Sequence, residues 1–431
     1  MAARLQGPVF ATATPPTWAG ATWIGELLLP AGDGVTQGFS DLSVPDAAGY
    51  SRARLLVRTP DRLWGMVAVP LREGRIAAED LERELRHLSE SAGHDVPVSP
   101  PTLPFTVVLC TRERPESLRV ALTSVLAQDY PVMDVVVVDN APATDATARV
   151  VAELADTRVR LVTETRAGLS HARNAGVAAS STPWIAFTDD DVTVDPGWLR
   201  GLTLGIARGG ENCVCVTGFV PTGELRTQAQ AWFDSRIGWN RVFEPRVFRL
   251  SEPPADLPLF PFQVGSYGAG ANFAARRDAV ERLGGFDVHL GAGTPSKGGE
   301  DIDFFYRVVI AGAVLAYEPS AVVWHRHRDT EEALISQAVG YGRGFSAWVT
   351  KTLLSPRDLA RGLRAVLGRG HVDTAPFAAY AAPLTESAPE MPGGVDILAV
   401  EHRATLAGPF HYLRSRVGTA WQAARRGLGR R

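Results

Sequence analysis

The sequence predicts an α/β protein with a mostly parallel sheet flanked by helices. A small N-terminal α+β module precedes this sheet and a helical C-terminal region follows it. Three observations carry the prediction. Between residues 105 and 187 short continuous apolar runs alternate with helix-periodic segments, the pattern of parallel strands covered on both faces. The stretch 95–104, DVPVSPPTLP, can continue neither a helix nor a central strand, so it separates a different pattern on its N-terminal side. After residue 331 the strand-like runs give way to helical periodicity. The expected organisation is therefore a module over 1–94, a linker over 95–104, a main domain over 105–330 and a helical extension over 331–431.

In the N-terminal module, 21–30, 52–59 and 63–71 are apolar runs bounded by Gly, Pro and Asp, which predicts strands. Residues 79–88 are helix-periodic, with Leu81, Leu85 and Leu88 on one face. In the main domain the predicted order is strand 105–110, helix 117–127, strand 135–138, helix 146–154, strand 159–162, helix 169–178 and strand 184–187. Ligands of such sheets bind beyond the carboxyl ends of the strands, so those ends are the places to search. Residues 221–262 are rich in aromatics and Pro and predict an irregular insertion. Helix is expected again from 331 to about 367, loop over 375–396, and a last helix over 412–431 that ends in Arg425, Arg426, Arg430 and Arg431.

The composition excludes several classes. The chain has 431 residues, 45% of them hydrophobic and 21% charged, with a formal net charge of -3, so neither nucleic-acid binding nor disorder is indicated. No apolar run is long enough to span a bilayer, and the first residues lack the apolar block of a secretory signal. The three cysteines, Cys110, Cys213 and Cys215, have no zinc-type spacing and read as reduced thiols of a cytoplasmic protein. The basic tail, with Trp421, is either a solvated helix or a contact with the inner face of an anionic membrane.

Five segments carry the chemistry. Thr188-Asp189-Asp190-Asp191 follows the apolar run 184–187, and in an extended chain Asp189 and Asp191 point the same way. Carboxylates this close repel unless a cation lies between them, and hard divalent ions complete such shells with phosphate oxygens. An Asp-rich turn is the structural alternative. Asp139, after the run 135–138, is either a ligand for a base or ribose or a helix cap. In 166–176, RAGLSHARNAG, Gly168 starts a turn into a helix whose N-terminus and arginines suit an anion; a surface helix with Arg173 in solvent is the alternative. In 298–304, GGEDIDF, acids stand at a helix start where the dipole favours ionised carboxylates, after two glycines that permit close approach of a ligand. His325 ends the strand-like VVWH, where it is either structural or a further metal ligand. Between these motifs lie the small residues of 265–272, with Gly270 and Asn272, which either let a ligand ring sit against backbone or form an ordinary flexible loop. Trp232, Trp239 and Phe243 are either a platform for a ligand ring or core.

Taken together, TVVLCTRERPESL (106–118), VVVVDN (135–140), RAGLSHARNAG (166–176), the Asp run 189–191, LGGFD (283–287), GGEDIDF (298–304) and VVWH (322–325) resemble the family 2 glycosyltransferases of the GT-A fold, a Rossmann-like sheet. Their order and spacing match as well. The resemblance covers about 105–330. It implies inverting transfer of a sugar from a nucleotide-diphosphate sugar to a hydroxyl of a glycan, a lipid-linked or a small-molecule acceptor, with Mn²⁺ or Mg²⁺. By position it implies that Thr111, Arg112 and Asp139 line the nucleotide pocket and that Arg166 and Asn174 hold the base or diphosphate. Asp189, Asp190 and Asp191 match the DxD motif, with Asp191 the direct metal ligand. Asp301 matches the catalytic base, and His325 a histidine that completes the metal site; Gly270, Asn272 and Glu300 are then the expected sugar or acceptor contacts, with Trp232, Trp239 and Phe243 an acceptor platform or core.

Two other functions compete. A nucleotidyltransferase would use Arg112 and Arg114 to grip a triphosphate near the first strand, but it leaves Asp301 without a role. A silent glycan- or nucleotide-binding protein would be expected to have lost one of Asp189, Asp191, Asp301 or His325, and all four are present. The N-terminal module is expected to recognise the acceptor or contact a subunit. If it only selects acceptors, removal of 1–100 leaves donor hydrolysis intact.

Overall fold

The computed structural model describes residues 3–30, 38–60, 62–90, 94–95, 102–237, 242–368 and 394–428. The N-terminal module comprises β1 (Arg4–Gln6), β2 (Thr22–Leu28), β3 (Leu42–Ser43), β4 (Arg52–Thr59), β5 (Arg62–Pro70), β6 (Arg75–Ile76), α1 (Ala78–Glu90) and β7 (His94–Asp95). Its main sheet runs β1-β2-β4-β5-β7, and α1 packs on it through Leu81 and Leu85.

The main domain begins with β8 (Phe105–Thr111), α2 (Pro115–Leu126), β9 (Met133–Asn140), α3 (Ala146–Leu154), β10 (Val159–Glu164), α4 (Leu169–Ala179) and β11 (Trp184–Thr188). It continues with β12 (Val192–Val194), α5 (Trp198–Gly209), β13 (Cys213–Phe219), α6 (Gln228–Arg236), β14 (Arg246–Phe248), β15 (Asn272–Arg276), α7 (Arg277–Arg282), α8 (Glu300–Ile310) and β16 (Val314–His325). Along the sheet the order is β10-β9-β8-β11-β15-β13-β16-β12, with β14 beside β16. The first four strands are parallel, as the alternation predicts, and β15 then enters antiparallel to β11.

Period-two alternation sorts the strand residues between two cores. Val108, Cys110, Val136, Val138, Ile185 and Phe187 face α4 and α8. Phe105, Val107, Leu109, Val135, Val137 and Trp184 face α2 and α5. The strands are buried on both faces, so their apolar runs are continuous. The parallel ladder also brings the ends of β8, β9 and β11 to one edge, and with them Thr111, Asp139 and the Asp run after Thr188.

Residues 1–94 do not stand apart from the main domain. Phe10, Ile24, Leu56 and Leu63 share a core with Phe219, Leu225, Val322 and Trp324. The Arg58 guanidinium bridges Glu26 at 2.5 Å and Asp195 of the main domain at 2.7 Å, and Arg54 pairs with Asp234 at 2.8 Å. The Thr22 amide donates to the Leu225 carbonyl at 2.8 Å. Removal of 1–100, the test of a module that only selects acceptors, would therefore also bare Phe219 and Trp324, a contact that the apolar patterning of 1–94 by itself did not reveal.

Beyond the main domain lie α9 (Glu331–Leu353), α10 (Pro356–Leu367) and α11 (Ile397–Leu428). The expected helix from 331 to 367 breaks before Pro356, which lacks the amide to continue it. The expected loop 375–396 falls almost wholly outside the described residues, and so do Trp239 and the side chains of Trp421 and the terminal arginines. Among the described residues no helix is long and apolar enough to cross a membrane.

Glycines let α9 sit directly on the loop that leads into α8. A β-carbon on Gly344 would stand 2.6 Å from the Gly298 carbonyl carbon, and one on Gly299, whose φ is +90°, would stand 2.5 Å from the Gly344 oxygen. The two glycines before the acids thus admit a neighbouring helix as well as facing a cavity. The same junction is pinned by Lys351, whose ammonium lies 2.9 Å from Asp287 and 2.8 Å from Asp303. Burial pushes the Asp287 carboxyl up, but Lys351 and the His289 amide outweigh it and hold it below its ordinary value of 3.8. A carboxylate held low adds stability above its ordinary pKa, and that stability is lost as the pH falls through the folded value. Lys351→Met is expected to cost about 3 kcal/mol at neutral pH, since it strands Asp287, while Asp303 keeps Arg307 at 2.8 Å. It should also flatten the loss of stability on acidification, which urea denaturation at neutral and acid pH would measure.

Candidate active site

The ends of β11 and β16, the turn before β15 and the start of α8 meet at a cavity of about 1240 Å³. Asp189, Arg173, Gly270, Glu300, Asp301 and His325 all line it, although they come from distant parts of the chain. The Asp run is held from several sides. Asp190 is buried, accepting from the Thr111 hydroxyl at 2.7 Å and from Arg114 at 3.0 Å. Asp191 lies 3.3 Å from His325 Nε2, 3.2 Å from Arg328 and 3.4 Å from Arg114. Asp189 lies 3.4 Å from Arg173.

Crowding of like charges away from water sets the protonation of the cluster. Burial, reinforced by Asp191, pushes the Asp189 carboxyl up to about 6 against the pull of Arg173. Asp191 moves the other way: burial opposes its charge, but His325, Arg328 and Arg114 together hold it low. His325 is correspondingly raised, because Asp191 outweighs the cost of burying its charge. Burial and Asp301 push Glu300 up to about 7, with Arg173 opposing.

Asp301 stands in the first turn of α8. The Gly270 amide donates to its Oδ2 at 2.9 Å and the Ile302 amide to its Oδ1 at 2.8 Å. Only glycine fits at 270, since a β-carbon there would lie 2.7 Å from Asp301 Oδ2. Apolar side chains form the rest of the cavity wall, with Leu259 and Phe262 on one side and Tyr341, Phe345, Trp348 and Leu353 of α9 on the other.

Several predicted residues have different surroundings from those expected. Arg166 forms a two-point pair with Glu164, at 2.9 and 2.7 Å, and most of its side chain is in solvent. Asn174 spends both ends of its amide on the Phe286 backbone, each at 2.8 Å, and so holds the turn after Gly285. Asn272 is fully buried, accepting from Trp198 at 2.8 Å and donating to the Phe219 and Ala321 carbonyls at 3.0 and 2.7 Å; a sugar contact there is corrected to a structural pin. Asp139 is buried and accepts from Thr147 at 3.1 Å, while Arg112 is exposed beside the strand end. Of the proposed aromatic platform, Phe243 packs on Phe219 with ring centroids 5.1 Å apart, and Trp232 lies under Arg236 at 4.9 Å.

Arg173, expected in solvent if α4 were a plain surface helix, is instead buried at the centre of the site. It donates to Glu300 at 2.9 Å and to the Gly270 carbonyl at 2.9 Å, besides facing Asp189. A signal was present in the sequence: Arg173 falls on the same helical face as Leu169, Ala172 and Gly176. Arg114, weighed above as a phosphate grip, lines the cavity, and so do Arg328 and His327, whose side chains no motif distinguished.

The donor set suits a divalent cation. Carboxylate oxygens of Asp189 and Asp191 and the Nε2 of His325 are of the type that Mn²⁺ or Mg²⁺ accepts, and Asp191 and His325 already stand together. Among the described residues no group of three or more His, Cys, Asp or Glu forms a ready-made site. Phosphate oxygens of a substrate are the usual completion of such a shell.

Comparison with known proteins places the chain in a family. Residues 106–284 match the family described as Glycosyl transferase family 2. The chain is 30% identical over 298 residues to the pre-mycofactocin glycosyltransferase of Mycobacterium tuberculosis, covering 67% of this chain and 58% of that protein. The chain thus spans less than two thirds of that relative's length. It is 29% identical over 256 residues to the succinoglycan biosynthesis protein ExoM of Rhizobium meliloti, covering 58% of this chain and 72% of that one. Among solved structures it is similar to the mannosyltransferase PcManGT from Pyrobaculum calidifontis in complex with GDP-Man and Mn²⁺, with 19% identity, 76% of this chain and 77% of that one covered, and a TM-score of 0.42. Through its central domain, the chain belongs to glycosyltransferase family 2.

Proposed function

We propose that the protein is a metal-dependent, inverting glycosyltransferase that moves a sugar from a nucleotide-diphosphate sugar to an acceptor hydroxyl. The observation that carries this reading is the shared cavity, in which Asp301 faces the same space as Asp189 and His325. Asp189, Asp191 and His325 would hold a divalent ion, which when bound supplies Lewis-acid stabilisation of the departing diphosphate. Arg114, Arg328 and Lys297 line the cavity as fixed positive charges for the phosphates. Asp301 Oδ2, aimed by the Gly270 amide, takes the acceptor's O–H proton. The acceptor oxygen then bonds to the anomeric carbon as the bond from that carbon to the diphosphate oxygen breaks. A single displacement from the face opposite the leaving group inverts the centre.

The apolar wall from Leu259 to Leu353 is where the body of a glycan, lipid-linked or small-molecule acceptor would lie, with its hydroxyl toward Asp301. The compartment belongs to the proposal too: the cytoplasm keeps thiols such as the three buried cysteines reduced. Contact of the basic tail with the inner membrane face is a separate part of it, decided by flotation of the full chain with anionic liposomes. The reaction is tested with purified protein, Mn²⁺ or Mg²⁺, and a panel of nucleotide sugars. Nucleoside diphosphate release that depends on metal and acceptor is the expected result. Pyrophosphate release would point to nucleotidyl transfer instead, and binding without turnover to a silent protein.

A further inference from the structure

The wall of the cavity beyond Asp301 is apolar, and its lining does not end at the mouth. Leu259, Phe262, Phe345, Trp348, Leu353 and Leu359 form it. The two polar side chains among them turn their oxygens to the backbone: Gln263 Oε1 accepts from the Leu259 amide at 2.7 Å, and the Thr352 hydroxyl donates to the Trp348 carbonyl at 3.0 Å. A sugar ring resting there would give up hydrogen bonds to water with few to replace them, whereas an apolar chain gives up none.

Leu359 belongs to α10, which sits on Phe262 through Gly362, where a β-carbon would stand 2.5 Å from the Phe262 ring. Leu363 and Leu367 follow Leu359 at i+4 and i+8, on the same side of the helix. They carry the apolar lining about 12 Å outward from the cavity. Leu363 and Leu367 are 46% and 78% exposed, and Leu353 and Leu354, at the turn into α10, are 60% and 52% exposed. Arg357, Arg361 and Arg364 flank this track at i, i+4 and i+7, against a single acid, Asp358. Arg361 donates to the Ile310 carbonyl at 2.7 Å, while Arg357 and Arg364 are exposed and have no ion pair among the described residues. Leucines edged by arginines match a lipid, with its chain on the leucines and the phosphates of a bilayer on the guanidinium groups. A second copy of the chain on this face would bring the same arginines together, which like charge opposes.

We propose that the acceptor is lipid-linked, and that its apolar chain leaves the cavity past Leu353 and lies along Leu359, Leu363 and Leu367, with an anionic bilayer against Arg357 and Arg364. For the chemistry at Asp301 this rests on the transferase reading. The track itself is read by binding, without donor or metal, so either can fail while the other stands.

The test titrates the full-length protein by calorimetry with methyl, butyl, octyl and dodecyl β-glucosides below their micelle concentrations. A fully buried methylene is worth about fourfold in affinity. Binding should therefore tighten by at least about tenfold from butyl to octyl, and again from octyl to dodecyl as the chain reaches α10. Leu363→Ser/Leu367→Ser should abolish the second rise and leave the first. Leu406→Ser/Leu413→Ser, at exposed leucines of α11, should leave both. Arg357→Gln/Arg364→Gln should weaken binding to vesicles of phosphatidylglycerol and phosphatidylcholine about 25-fold, or about fivefold per arginine. Affinity that does not depend on chain length overturns the proposal. A rise that stops at butyl overturns it in favour of a small soluble aglycone. A second rise that survives the α10 leucine changes, or vesicle binding that ignores both arginines, overturns it too. If Leu363→Ser/Leu367→Ser lowers stability to urea without any ligand, or changes the mass of the protein in solution, the face is covered by the protein itself and the proposal falls.

Discussion

Asp301→Asn is expected to lower the rate of sugar transfer by about 10²–10⁴-fold, the usual contribution of a positioned general base. The substitution keeps the size of the side chain and one carbonyl-type acceptor, so α8 should still start at the same place. What it removes is the group able to take the acceptor proton. Asp301 stands outside the ion pairs of Arg173, Arg114 and Arg328 with the neighbouring acids, so its loss should leave those contacts in place. Donor affinity, measured by calorimetry with a nucleotide sugar and metal, should change little while turnover falls. An unchanged turnover would remove Asp301 from the mechanism, and an equal loss of donor affinity would make it a binding residue.

Arg173→Met is expected to have the largest effect on stability. The residue is 2% exposed, its guanidinium lies between Glu300 and Asp189, and the rings of Phe273 and Phe286 are each 5.6 Å away. Removing the cation leaves the buried Glu300 carboxylate and the partly exposed Asp189 carboxylate without the charge between them, and loss of one member of a buried pair costs about 3–5 kcal/mol. The carboxyls should respond by holding protons more tightly, since the charge that opposes their upward shift is gone. The double variant Arg173→Met/Glu300→Gln should recover part of the loss, because it removes one of the stranded charges. Urea denaturation of the single and double variants measures both effects. If the single variant unfolds at the same urea concentration as the unaltered protein, Arg173 is not the charge that balances this site.

Much of the central sheet was legible because its physics is local. The runs 105–110, 135–138, 159–162 and 184–187 and the helices between them became β8 to β11 and α2 to α4, with boundaries a few residues apart. The antiparallel entry of β15 was not legible, since it depends on which distant strand pairs with β11. Within the expected irregular stretch 221–262 lies α6, whose capping box joins Thr227 to Gln230. That spacing was readable, but the short polar helix has little amphipathic pattern to reveal it.

The site followed the same division. Asp189, Asp191, Asp301 and His325 stood out by their type and their place at element ends. Arg173 was left between an anion contact and a solvated helix face, and His327 was not singled out, because a charge on a helical face or a second histidine near a strand end acquires its full meaning only from what folds against it. Nor could the sequence show that Arg54, in the N-terminal module, is paired with Asp234 across the chain.

The most direct test of the account is a crystal of the full-length protein with Mn²⁺ and a nucleoside diphosphate, with the ion located by its anomeric scattering signal at the manganese edge. The account predicts one peak within bonding distance of the Asp191 carboxylate and His325 Nε2, with the diphosphate in the cavity and the Asp301 carboxylate facing it. A peak bound elsewhere, or a diphosphate held away from these residues, would contradict it.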